Sequence, residues 1–166
     1  MLRIESYAPV KVADGSRFAK GQIVTYGGVT QHSHYTTEIQ RRELDLRSHG
    51  ELEPSNETTA VLIPIGKSAQ WWQLAQDVRQ TYFKQTETKE GHTEIGLRYV
   101  DRVYRKLYHS RYAGASLPYD FLTYFEFRSS FKDDFKALLA ELRDTERNPE
   151  WAYVRLEYEI WMIKRR

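Results

Sequence analysis

Residues Gly91–Arg111 read GHTEIGLRYVDRVYRKLYHSR, and a change of period inside this stretch decides the fold class. In its first half His92, Ile95, Gly96, Tyr99, Val100 and Val103 recur at helical spacing and form one continuous stripe. His92 therefore belongs to the buried face near the helix start. In the second half Val103, Arg105, Leu107 and His109 alternate with Tyr104, Lys106, Tyr108 and Ser110, as residues of a strand do. Arg105 then shares a strand face with Val103 and Leu107, an apolar lining. A guanidinium on such a face needs a partner or a reason, because it does not discharge itself by losing a proton. Read alone, Arg105 snorkels to an edge or pairs with a carboxylate, and His92 is a hydrogen-bonded core histidine. Their pairing, across a helix-to-strand change, is the more informative feature.

Working outward, Thr59–Gly66 is a continuous apolar run of strand length, with Pro64 near its end. Ser68 is placed to cap a following helix whose stripe is Trp71, Leu74, Ala75, Val78 and Tyr82, ahead of a polar Gln85–Glu90 stretch and Gly91. After the Arg105 strand come a turn at Gly114–Pro118 and a strand over Tyr119–Arg128. Phe131, Phe135, Leu138, Leu139 and Leu142 mark another amphipathic helix, which Asn148-Pro149 breaks. Trp151–Ile163 alternates through Val154, Leu156, Tyr158, Ile160 and Met162 as the last strand. The order β-α-β-β-α-β is the ferredoxin-like unit, and it predicts an α+β fold with an antiparallel sheet and helices on one face.

Upstream, Leu2–Val12 and Gly21–Thr30 read as strands, and Thr36–Arg47 can hold a short helix. His32 and His34 sit two apart, but with no third ligand in view they make a poor metal site. Residues 49–56, His-Gly-Glu-Leu-Glu-Pro-Ser-Asn, are polar and carry Gly and Pro, which sets the internal boundary. The chain thus divides into a shortened ferredoxin-like half over 1–56 and a second half over 57–166 that carries the site.

At 166 residues, 40% hydrophobic and 29% charged, the chain has the composition of a globular protein able to bury a real core. A net charge of +2 leaves no basic footprint for nucleic acid. Cysteine is absent, which excludes disulfides, thiolate catalysis and sulfur-ligated zinc or iron–sulfur sites. No apolar run reaches the length of a membrane span, and Met1–Val12 is too polar for a secretory leader, so a cytoplasmic protein is the expectation. The aromatic content of 14% suits a flat apolar ligand, an aromatic core or an interface.

Three motifs occur in order: Lys67-Ser68-Ala69-Gln70-Trp71-Trp72, then His92-Thr93 followed by Arg105-Lys106-Leu107-Tyr108-His109-Ser110, then Asp120-Phe121-Leu122-Thr123-Tyr124-Phe125-Glu126. In this wording the chain resembles the chlorite dismutase family of haem b proteins. The resemblance covers most of Thr59–Arg166 and thins over the first fifty residues. It implies two ferredoxin-like halves whose sheets close into an antiparallel β-barrel with helices packed outside, and its short chain resembles the compact, dimeric branch.

The resemblance implies His92 as the proximal ligand of haem iron and Arg105 as a distal cation that draws in chlorite and holds transient hypochlorite. A glutamate just after the last helix should accept the other ring N–H of His92; Glu146 and Glu150 compete, with Glu146 preferred. Lys67 matches a lysine beside the haem propionates, though a solvated loop lysine is its plain alternative. Trp71 and Trp72 match a tryptophan pair at the cofactor, and Tyr35 is placed to reach a propionate. His109 shares the strand face of Arg105 but does not match the ligand position. The loop Ser110–Tyr119 is longer than the family's usual turn. Coproheme decarboxylases share the scaffold but carry a neutral residue at the distal position, so Arg105 argues against that activity. A weak haem peroxidase, or a ferredoxin-like binding module without cofactor, are the other readings.

Overall fold

The computed structural model describes residues 2–12 by their backbone, and 28–30, 37–111 and 117–164 in full. The predicted apolar run becomes β3 (Thr58–Lys67), buried at eight of its ten positions because strands pair with it on both sides. Those neighbours are β5 (Phe121–Arg128) and β6 (Val154–Lys164), and β4 (Val103–His109) pairs with β5. All four strands are antiparallel and lie in the order β6-β3-β5-β4, the ferredoxin-like arrangement expected from the element order. β1 (Leu2–Val12) extends the sheet beside β6, and β2 (Val29–Thr30) extends it beside β4. Among the described residues this six-stranded sheet stays open, and no pairing closes it into a barrel. Tyr35, His32 and His34 lie outside the described residues, as does most of the strand expected over Gly21–Thr30.

The helix α1 (Glu38–Arg47) is set by Thr37, whose hydroxyl accepts the Gln40 N–H while the Gln40 side chain accepts the Thr37 N–H. None of its residues is buried. The segment 48–57 that follows has neither helix nor strand, as its Gly and Pro content predicts.

One expected helix is two. The stripe Trp71–Tyr82 divides into α2 (Ala69–Gln73) and α3 (Gln76–Phe83), because Leu74 and Ala75 adopt extended backbone. No Gly or Pro forces this break. It coincides with packing that the stripe does not encode: Trp71 inserts among Tyr82, Phe83 and Tyr153, with ring centres 5.4–6.1 Å apart. The last strand also starts later than expected. Trp151 lies in a 3₁₀ turn over Pro149–Tyr153, and the buried alternation Val154, Leu156, Tyr158, Ile160 and Met162 carries β6.

The helix α5 (Lys132–Arg143) lays Phe135, Leu138, Leu139 and Leu142 on the sheet face made by Val61, Ile63, Phe125 and Phe127. Phe135 stacks on Phe127 at 4.5 Å between ring centres and meets Trp161 edge-on at 5.4 Å. Each such side chain stabilises the fold by about 1.5–3 kcal/mol through burial. The other face carries smaller clusters around Leu122, Leu156 and Tyr158 and around Ala60, Ile160 and Met162. No described helix is long and apolar enough to cross a membrane. The helical layer does not cover the whole face beside β4, and a cavity of about 1130 Å³ opens there.

Candidate functional site

One wall of the cavity starts from Gly91. Its φ of +80° is one that side-chain-bearing residues rarely adopt, and an added Cβ would lie 2.8 Å from the Lys84 carbonyl oxygen. Gly91 thereby opens the short helix α4 (His92–Leu97) and puts His92 at its first position, while the Gly91 N–H donates to the Arg147 carbonyl. The His92 ring packs against Phe83 and lies 3.1 Å, through Nδ1, from Glu150 Oε2.

Glu150 is 4% exposed and also receives the Lys67 ammonium, Nζ to Oε1, at 2.5 Å. The same ammonium donates to the Glu150 carbonyl at 3.2 Å and lies 4.7 Å from the Trp71 ring centre. Lys67 is held in turn by its backbone N–H, which donates to Asp120 Oδ2 at 2.6 Å. Burial works to raise the Glu150 pKa, but the Lys67 charge and the His92 hydrogen bond overcome it and hold the carboxyl well below the usual carboxylate range. Burial lowers the His92 pKa, the Arg105 and Lys67 charges add to this, and Glu150 opposes it. A neutral imidazole that donates from Nδ1 to a carboxylate keeps its lone pair on Nε2.

The facing wall is the sheet. Val103, Arg105, Leu107 and His109 of β4 line the cavity together with Phe121, Thr123 and Phe125 of β5, as the alternation predicts. Arg105 is open to the cavity and has neither a carboxylate nor a hydrogen-bond partner among the described residues. Crowding by surrounding protein lowers its pKa and the Glu150 charge opposes this, yet a guanidinium stays charged.

The structure thus brings His92, Arg105, Lys67, Trp71 and Trp72 to one cavity. Two expectations are corrected. Glu150, not Glu146, stands against the His92 ring. Residues 144–148 form a turn in which Asn148 donates to the Leu142 carbonyl at 2.8 Å, and Pro149 then starts a 3₁₀ turn that carries Glu150 inward. Glu146 is left exposed on the outside of that turn. Lys67 is no solvated loop lysine: at 3% exposure its ammonium is engaged by Glu150. Sequence reasoning missed the part played by Asp120, which opens a motif already singled out; its place before a strand was the available signal.

Trp71 is buried beside Lys67, whereas Trp72 stacks on Phe121 at 6.0 Å. His109 meets the same Phe121 ring edge-on at 5.1 Å. No cluster of three or more His, Cys, Asp or Glu side chains among the described residues can cage a bare metal ion. A neutral histidine held by a buried carboxylate, on a large, aromatic-lined cavity, fits a metal whose other ligands come from a flat macrocycle.

The chain is also similar to known proteins. A family model described as chlorite dismutase matches residues 16–162. Among solved structures, the dimeric chlorite dismutase from Nitrobacter winogradskyi aligns with a TM-score of 0.81 at 32% identity, covering 98% of this chain and 93% of that one. Chlorite dismutase from Candidatus Nitrospira defluvii in complex with imidazole aligns at 0.59 and 30% identity over 80% of this chain and 52% of that one. A mutant of the latter enzyme in complex with cyanide aligns at 0.62 and 28% identity, over 81% and 51%. The chain spans about half the length of the Nitrospira protein.

Proposed function

The chain belongs to the chlorite dismutase family, and from that premise we propose that it is a haem b enzyme converting chlorite to chloride and dioxygen. In this reading His92 is the iron ligand and Arg105 the cation across the cavity from it. The observation that carries it is the shared cavity: a neutral histidine held by a buried carboxylate, and a permanent cation with no carboxylate of its own among the described residues. Bound haem would supply an iron centre that accepts an oxygen atom and returns it, which needs no outside electrons.

The chain's own residues do the rest. Glu150 holds the His92 ring in the tautomer that presents Nε2, and Lys67 keeps Glu150 charged. Arg105 attracts the chlorite anion and retains the hypochlorite fragment until both oxygens leave as O₂ and chloride remains. Because it does not titrate at working pH, it does this without moving a proton. Val103, Leu107, Phe125 and Leu138 make the wall apolar and disfavour water beside it. The homodimer belongs to the same proposal, following the dimeric relative, as do the two-half division at residue 56 and the closure into a barrel.

A visible spectrum after haem addition and an oxygen-electrode trace on adding chlorite test the reading. A Soret band with oxygen release is expected. A Soret band without oxygen would leave a peroxidase or decarboxylase, and no Soret band would leave a module without cofactor. Arg105→Ala should keep the band yet release roughly tenfold less total oxygen per site before bleaching. Equal yields from parent and variant would remove Arg105 from that role.

A further inference from the structure

The cavity holds a second arginine that the reaction does not use. Arg79 of α3 lines it beside Trp72, with its guanidinium carbon 5.4 Å from the Trp72 ring centre. The indole Nε1 of Trp72 and Nε of Arg79 are both shut off from water, and neither has an acceptor among the described residues. Buried donors of this kind are ordinarily paired, so two orphans side by side at a cavity wall call for an acceptor.

Three neighbouring cations are accounted for. Arg111 also lies over Trp72, at 4.0 Å, but gives Nη1 to Asp120 at 3.0 Å. Lys67 is engaged by Glu150, and the cavity-lining Arg41 lies 4.0 Å from Asp45. Arg79 has no carboxylate among the described residues. Its guanidinium lies in cation–π range of the indole, and a planar guanidinium fork suits a carboxylate in two-point contact. The break between α2 and α3 places the pair on the aromatic side of the cavity, next to Phe121.

We propose that Arg79, with the neighbouring Trp72 as second donor, docks a carboxylate carried by the flat ligand of this cavity. The inference rests on the haem reading above, in which the carboxylate is a propionate. Charge-assisted contact there anchors the rim of the ligand, while His92 holds its centre. Arg79 is thus a binding residue, distinct in chemistry from Arg105, whose unpaired charge serves the small anion.

The test titrates the full-length apo-protein with haem b and, separately, with haem dimethyl ester, which lacks the carboxylate charge, following the Soret band. The parent should prefer haem b. Arg79→Ala should weaken haem b binding roughly tenfold or more and leave the ester's affinity unchanged. Arg79→Lys should recover part of the loss. Equal loss for both porphyrins would make Arg79 a packing residue and overturn the proposal. No loss with haem b, or a raised KM for chlorite at unchanged haem affinity, would overturn it in favour of an anion-entry role. Should Arg79→Ala fail to fold, a parent without preference between the two porphyrins is sufficient to overturn it. A parent that takes up neither porphyrin would overturn the haem reading itself, and this inference with it.

Discussion

Glu150 and Glu126 are both buried carboxylates supplied with hydrogen-bond donors, and they lie on opposite sides of one sheet. Glu126 is fully buried and accepts from the Leu52 N–H at 2.7 Å, the Tyr124 hydroxyl at 2.5 Å and the Lys164 ammonium at 2.7 Å. Its neighbours Phe125 and Phe127 point to the helical side, so Glu126 faces the other way. Burial and the bond to Glu126 raise the Tyr124 pKa, and that hydroxyl stays a donor at any working pH. Each group here is consumed by the contact, which ties the segment before β3 and the end of β6 to the sheet. Glu150 accepts from a lysine and an imidazole, and the second nitrogen of that imidazole, beside a cavity, has no partner among the described residues. Burial and ion pairing alone therefore do not mark a site; a partner with a spare valence next to open space does.

The two carboxylates can be separated by experiment. Lys67→Met leaves Glu150 buried without its cation and should cost about 3–5 kcal/mol in denaturant unfolding of the apo-protein. A loss under 1 kcal/mol would mean that water reaches Glu150. His92→Ala removes the proposed iron ligand, so haem titration should show a fall larger than the roughly 10- to 100-fold expected for losing an outer partner. Unchanged haem binding would refute the ligand assignment and reduce Glu150 to a structural group like Glu126. Glu126→Gln should cost about 1–3 kcal/mol in stability and leave haem affinity alone. Were haem uptake to fall there as well, the two clusters would not be independent. Glu146→Ala should shift stability by less than about 0.5 kcal/mol and haem affinity not at all, since the residue is exposed. A tenfold drop in that variant would return the supporting role to Glu146.

Much of this arrangement is legible in single-residue patterns. The apolar run of β3, the stripe Phe135, Leu138, Leu139 and Leu142, and the alternation of β4 all rest on local period, which reports the face each residue turns to the core. That was enough to put Arg105 on the face that lines the cavity. The division of α2 from α3 was not legible, because no Gly or Pro marks it and the packing around Trp71 involves Tyr153, far along the chain. Glu150 was passed over for Glu146 because the spacing after α5 does not reveal how residues 144–149 turn.

The sequence by itself determined most of the elements of residues 57–164, their order and the motifs that place His92 and Arg105 at the change from helix to strand. Only the tertiary structure decided which glutamate meets His92, what Lys67 is bound to, and that Arg79 lies over Trp72 without an acceptor among the described residues. The reason is separation along the chain. Lys67 and Glu150 are 83 residues apart, and His92 and Glu150 are 58 apart. Such contacts follow from turn geometry and sheet register summed over many elements, and no local period carries that information.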